Sequence, residues 1–72
     1  MGEVNLDKLK EWIKKHGYKI YHVAKTLDIT TVQLHRKLRG ENGFKQTDLA
    51  GFLRLGMKPK DLLDIFFGVR LS

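Results

Sequence analysis

The sequence predicts an all-α fold, a compact bundle of about five short helices that includes a helix-turn-helix. Three observations carry this expectation. Apolar residues recur at spacings of three and four in five separate stretches, cap-forming or helix-stopping residues fall between those stretches, and no strand-like alternation of useful length occurs. There is no repeat, linker or low-complexity tract, so residues 1–72 read as one domain.

Leu6, Leu9, Trp12 and Ile13 define the first helix, over about 5–16, with Asn5 as its N-cap and Gly17 just beyond it. Trp12 is expected to be partly buried. Val23, Ala24 and Leu27 share one face of a second helix, about 20–27, and Asp28 breaks it. Thr30 caps a third helix, about 31–39, which turns Leu34 and Leu38 inward and stops at Gly40. Glu41-Asn42-Gly43 is a loop, and Phe44 is expected to plug the core. Thr47 is the expected cap of a fourth helix, about 48–55, which offers Leu49, Phe52 and Leu53 and ends at Gly56. Gly51 inside it costs about 1 kcal/mol relative to Ala, which points to a close neighbour, with the first helix as the candidate. Pro59 suits the first turn of a fifth helix, about 59–67, carrying Leu62, Leu63, Phe66 and Phe67. Phe66 and Phe67 cannot both face inward, so one of them is left for an edge or a partner.

At 72 residues the chain is too short for a two-domain enzyme with a closed cleft. It has no cysteine, so disulfides, thiolate metal sites and thiol catalysis are excluded, and stability must come from one packed core. No apolar run approaches the roughly 18 to 20 residues that span a bilayer, and Met1-Gly2-Glu3 opens an acidic segment rather than a secretion signal. The net charge of +6 favours an acidic or polyanionic target. That charge is uneven. Residues 8–39 hold nine Lys or Arg against Glu11 and Asp28, so an anion-reading surface belongs in the first half. A solvated lysine-rich face is the plainer account of the same distribution.

The second and third helices, joined by only three or four residues, form the helix-turn-helix pattern. Ala24 is small where the helices must cross, Ile29 can plug the angle between them, and Leu34 and Leu38 hold the third helix to the core. The outward residues are then Thr31, Val32, Gln33, His35, Arg36 and Arg39. In such a geometry they face a major groove, while flanking lysines meet phosphates.

The run from Val23 to Gly40 resembles the Cro and repressor-type helix-turn-helix family of temperate phages and their bacterial relatives, and Phe44 to Leu49 and Asp64 to Phe67 look like that family's later helices. The resemblance spans about residues 5 to 67 and implies a lambda repressor-like fold. It also implies that Thr31, Val32, Gln33, His35 and Arg36 line the recognition surface and that Lys37 and Arg39 border it. Arg36 has the chemistry to grip guanine and Gln33 to pair with adenine, each contributing about 1 to 3 kcal/mol of discrimination. Val32 offers only apolar contact, which suits a thymine methyl.

The chain departs from the family pattern at three places. Lys19 and Ile20 stand where the family has a Ser or Thr cap and a backbone-contacting Gln, and Asp28 replaces the usual glycine of the turn. Ile20, Tyr21 and Val32 make the docking face more apolar than a DNA reader needs. Rimmed by His22, His35, Arg36 and Arg39, that cluster has the make-up of a protein interface. Such a chain is similar to phage modulators of repression. The implied function is therefore an antirepressor of a lysis-lysogeny switch that binds the cognate repressor's DNA-binding domain in the bacterial cytoplasm. The alternative is a Cro-like repressor that reads operator DNA, with Thr31, Gln33 and Arg36 at base edges and Lys19, Lys37 and Arg39 on phosphates, alone or together with the repressor.

No enzyme, metal or cofactor is expected. Ser72 is the only serine, and His16, His22 and His35 lack ligand spacing with a carboxylate. Asp61 and Asp64 suit the start of a helix, where the dipole favours acids. Gly40-Glu41-Asn42-Gly43 is too short for a phosphate-cradling loop.

Overall fold

The structure is a computed structural model and describes residues 4–69; Met1-Gly2-Glu3 and Ser72, read above from the sequence, lie outside that range. It is all-helical: α1 Leu6–Lys15, α2 Ile20–Thr26, α3 Thr31–Leu38, α4 Gln46–Arg54 and α5 Pro59–Phe67, with no strand among the described residues. No helix among these is long and apolar enough to cross a membrane.

The boundaries have local causes. The Asn5 side chain accepts the Lys8 N–H at 3.0 Å and starts α1, and Gly17 leaves it with φ +71°. Lys19 occupies the N-cap of α2 without any side-chain cap hydrogen bond. Asp28 then takes φ +60°, so it does adopt the left-handed turn conformation that a short polar side chain tolerates. Thr30 caps α3 as expected, and Pro59 opens α5. Gly68, with φ +68°, ends that helix with its N–H donated to Asp64 O.

The start of α4 differs from expectation. Thr47 is not its cap: the helix begins at Gln46, with Lys45 at the N-cap, and the Asp48 carboxylate accepts the Lys45 N–H at 2.8 Å. Asp48 can reach back in this way because its carboxylate is already drawn inward by a buried lysine, described below.

The core centres on Phe52, which is fully buried. Its ring contacts Trp12, Phe44 and Phe66 with centroids 6.2, 6.3 and 5.5 Å away, so helices α1, α4 and α5 meet on one residue. Phe44 is half-buried and packs edge-on to Phe66 at 5.2 Å, the plug the sequence predicts. Trp12 is buried rather than partly buried. Leu53 is exposed, whereas Leu55, at the C-cap of α4, and Met57, just beyond it, are buried. On α5, Ile65 and Phe66 are buried while Leu62 and Leu63 are half-buried and Phe67 faces solvent.

Two of the hydrogen bonds that join the first half of the chain to the second lie beside α2. The Tyr18 hydroxyl donates to Leu55 O at 2.6 Å, and Arg54 Nη2 donates to Thr26 O at 2.8 Å. Both hold α2 in place from beneath. Gly51 contributes to the same junction, although its close neighbour is Leu27 at the end of α2 rather than α1. A Cβ on Gly51 would come within 2.8 Å of Leu27 Cδ1 and 3.3 Å of Leu27 Cα. Gly51→Ala should therefore lower thermal stability despite gaining about 1 kcal/mol of helix propensity, because overpacking costs about 1 to 3 kcal/mol. A melting temperature equal to or above wild type would show that α2 and α4 are not so closely apposed.

Candidate docking surface

The α2–turn–α3 unit buries the apolar positions that the sequence turns inward and exposes most of those that it turns outward. Val23, Ala24, Leu34 and Leu38 are buried, Ile29 is half-buried in the turn, and the Ile29 N–H donates to Ala24 O at 3.0 Å. With those positions committed to the interior, Thr31, Val32, Gln33, His35 and Arg36 are all exposed on α3. Tyr21 on α2 and Val32 on α3 are 62 % and 57 % exposed, the two most exposed large apolar side chains described.

Between the two helices lies a shallow concavity of about 390 Å3. Tyr21 and Lys25 line it from α2, Asp28, Ile29 and Thr30 from the turn, and Thr31 and Gln33 from α3. A second hollow of about 680 Å3 shares Asp28, Ile29 and Gln33 and extends to the α3–α4 loop at Glu41, Asn42 and Lys45. Lys25 is exposed and joins this surface although the sequence reading overlooked it. Its position four residues after Tyr21, on the same side of α2, is the signal that would have found it.

Two predicted site residues, Lys37 and Ile20, are placed differently from expectation, and two more, Gln33 and Arg39, are exposed as expected but bonded within the chain. Lys37 does not border the surface: it is 7 % exposed, and its Nζ donates to Asp48 Oδ2 at 2.7 Å and to Gly43 O at 3.0 Å, lying 5.7 Å from the Phe44 ring centroid. The cause is helical period. Lys37 falls three residues after Leu34 and beside Leu38, on the face that the core claims. Ile20 is half-buried against the core, one turn before Val23 and Ala24, so it is not part of the exposed apolar cluster. Gln33 is exposed, but its Oε1 accepts the Thr30 N–H at 2.9 Å while the Thr30 hydroxyl accepts the Gln33 N–H at 3.1 Å. This reciprocal cap engages one of the two lone pairs of the amide oxygen that adenine would need and fixes the side chain along the helix start. Arg39 is exposed and paired to Glu41 at 2.6 Å.

The remaining predicted residues are free to meet a partner. Lys19, Tyr21, His22, Thr31, Val32, His35 and Arg36 are exposed, and none of them has an ion pair among the described residues. No group of three or more His, Asp or Glu side chains able to hold a metal ion occurs among the described residues. Compared with known proteins, the chain matches no family profile, no curated protein and no solved structure.

The Lys37–Asp48 pair fixes the α3–α4 connection under this surface, since both side chains are nearly inaccessible to water. Removing one partner strands the other charge. Asp48→Ala should cost about 3 kcal/mol or more, read as a loss of more than about 10 °C in melting temperature. Replacing both, as Lys37→Met with Asp48→Leu, should recover most of that loss. Equal stability of wild type and the single variant would place the pair in solvent.

Proposed function

We propose that this chain is a small phage-type transcriptional regulator acting as an antirepressor in the cytoplasm of a bacterial host. Its α2–α3 surface docks on the DNA-binding domain of the cognate repressor and occludes it. One observation carries the reading: the surface is apolar at its centre, at Tyr21 and Val32, while much of the polar set that would read DNA is engaged within the chain itself. Lys37 is buried in an ion pair, Gln33 is held by the α3 cap, and Arg39 is neutralised by Glu41. Arg36 remains as the exposed arginine anchor.

The energetics follow from this composition. Burying Tyr21 and Val32 supplies about 1.5 to 3 kcal/mol each, and the concavity beside them accepts an apolar side chain against Ala24 and Ile29. Charge contributes little attraction, because Lys19, Lys25 and Arg36 would approach a repressor surface that is itself cationic in order to hold DNA. Asp28, set at the rim by its left-handed turn, is the carboxylate of this chain positioned to meet a repressor cation.

The alternative function, direct binding of operator DNA with α3 in the major groove, is favoured by the exposure of Arg36 and Thr31. The two readings predict opposite salt behaviour. A complex held by apolar burial between like-charged surfaces should not weaken as salt rises from about 50 to 200 mM, whereas an operator complex loses affinity steeply over that range.

The test is a mobility-shift titration of operator DNA, repressor and this protein. The expected result is loss of the repressor's shift with no shift by the protein alone; a specific, salt-sensitive shift by the protein alone would overturn the proposal. Tyr21→Ser should weaken repressor binding by about 30-fold. Arg36→Ala should also weaken it, with helical circular dichroism and melting unchanged. Unfolding by Arg36→Ala would mean that the side chain is not at the surface.

A further inference from the structure

Beside the docking surface, the α1–α2 junction carries a row of rings; Trp12 belongs to the core and Tyr18 packs against it, while His16 and His22 are exposed. The His16 ring lies 4.3 Å from that of Trp12, Tyr18 runs nearly parallel to His16 at 6.0 Å, and His22 follows Tyr18 at 5.6 Å. The row is held rigid. His16 Nδ1 is 2.9 Å from Trp12 O, and the Tyr18 hydroxyl is anchored on Leu55 O. His16 and His22 are exposed and Tyr18 is half-buried, so the rings present themselves to solvent.

The surrounding charge is of one sign along the chain. Between Glu11 and Asp28 there is no carboxylate, and the segment holds Lys14, Lys15, Lys19 and Lys25. All four are exposed, and none has an ion pair among the described residues. Helix dipoles account for Lys14, Lys15 and Lys25, which lie in the last turns of α1 and α2. Lys19 has no such account: it places a cation at the positive end of α2 and makes no cap bond, at a cost to local stability. The groove between α1 and α5 holds Glu11, Asp61 and Asp64 with Lys8, Lys15 and Lys58, and Lys8 pairs with Asp64 at 2.9 Å; Lys14 and Lys19, outside that lining, flank His16 and Tyr18 along the chain.

We infer that this ridge, His16–Tyr18–His22 with Lys14 and Lys19, binds an unpaired nucleic-acid strand. Ring faces fixed in a row stack on unpaired bases, and the lysines meet the phosphates that run beside them. A duplex keeps its bases stacked inside and offers this ridge only phosphates, so it gains the charge contribution and loses the stacking. The site shares Lys19 and His22 with the rim of the docking surface but not its centre at Tyr21 and Val32, and it does not depend on repressor binding.

The experiment is fluorescence anisotropy of a labelled oligothymidine of about 15 nucleotides, titrated with the intact protein at low salt and compared with a duplex of equal length. Single-strand binding should be the tighter of the two and should weaken as salt rises. His16→Ala should reduce it about tenfold. Lys14→Gln should reduce it and flatten the salt dependence. Val32→Ser should leave it unchanged while impairing repressor docking, and His16→Ala should leave docking unchanged, so the two assignments can fail separately. Equal affinity for duplex and single strand, indifference to His16→Ala, or no binding at all would each overturn the inference.

Discussion

One buried ion pair sets the character of the exposed surface. Lys37 turns inward to Asp48, and this single choice ties α3 to the start of α4, orders the loop at Gly43 and withdraws a cation from the outer side of α3. The Asp48 carboxylate serves twice, since the same Oδ2 also accepts the Lys45 N–H that opens α4. A buried pair of this kind adds little net stability over an apolar replacement, but it permits few alternative arrangements of the groups around it. Its functional consequence is compositional. With Lys37 gone from the surface, the outer side of α3 is left with Val32 at its centre and Arg36 and His35 beside it.

The same logic extends to α2. Tyr18 and Arg54 clamp the helix from below through Leu55 O and Thr26 O, and Leu27 sits directly over Gly51. A surface mounted on two helices that are anchored to α4 in this way is preorganised, so binding loses little energy in ordering it. The two functions proposed for the chain divide along this scaffold. Apolar side chains occupy the α2–α3 side, and rings flanked by lysines occupy the α1–α2 side, with Tyr21 and His22 as adjacent residues at the divide.

Much of the fold was legible because short helices announce themselves through caps. Asn5, Thr30 and Pro59 each mark a helix start, and Leu9, Ile13, Val23, Leu34 and Phe52 are inward where the period places them. The errors share a cause. Lys37 was read by its charge although Leu34, Lys37 and Leu38 lie at the spacing of one buried face. Gln33 is outward as read, but Thr30-x-x-Gln33 also has the spacing of a reciprocal cap, which was missed. Leu53 was read as core although it lies one residue past Phe52, and neighbours in a helix diverge by about 100°. In each case helical geometry outweighed residue type. The closeness of Leu27 to Gly51 was not legible, because glycine in a helix signals a neighbour without saying which.

The central claim is that the outer side of α2 and α3, with Tyr21 and Val32 at its middle, is where this protein meets its repressor. The most direct measurement is an NMR titration of the isotopically labelled chain with the repressor's DNA-binding domain. The account predicts that the amide signals of Tyr21, Asp28, Thr31, Val32, His35 and Arg36 shift or broaden while those of α5 stay in place. Perturbation confined to α4 and α5, with α2 and α3 unmoved, would contradict it.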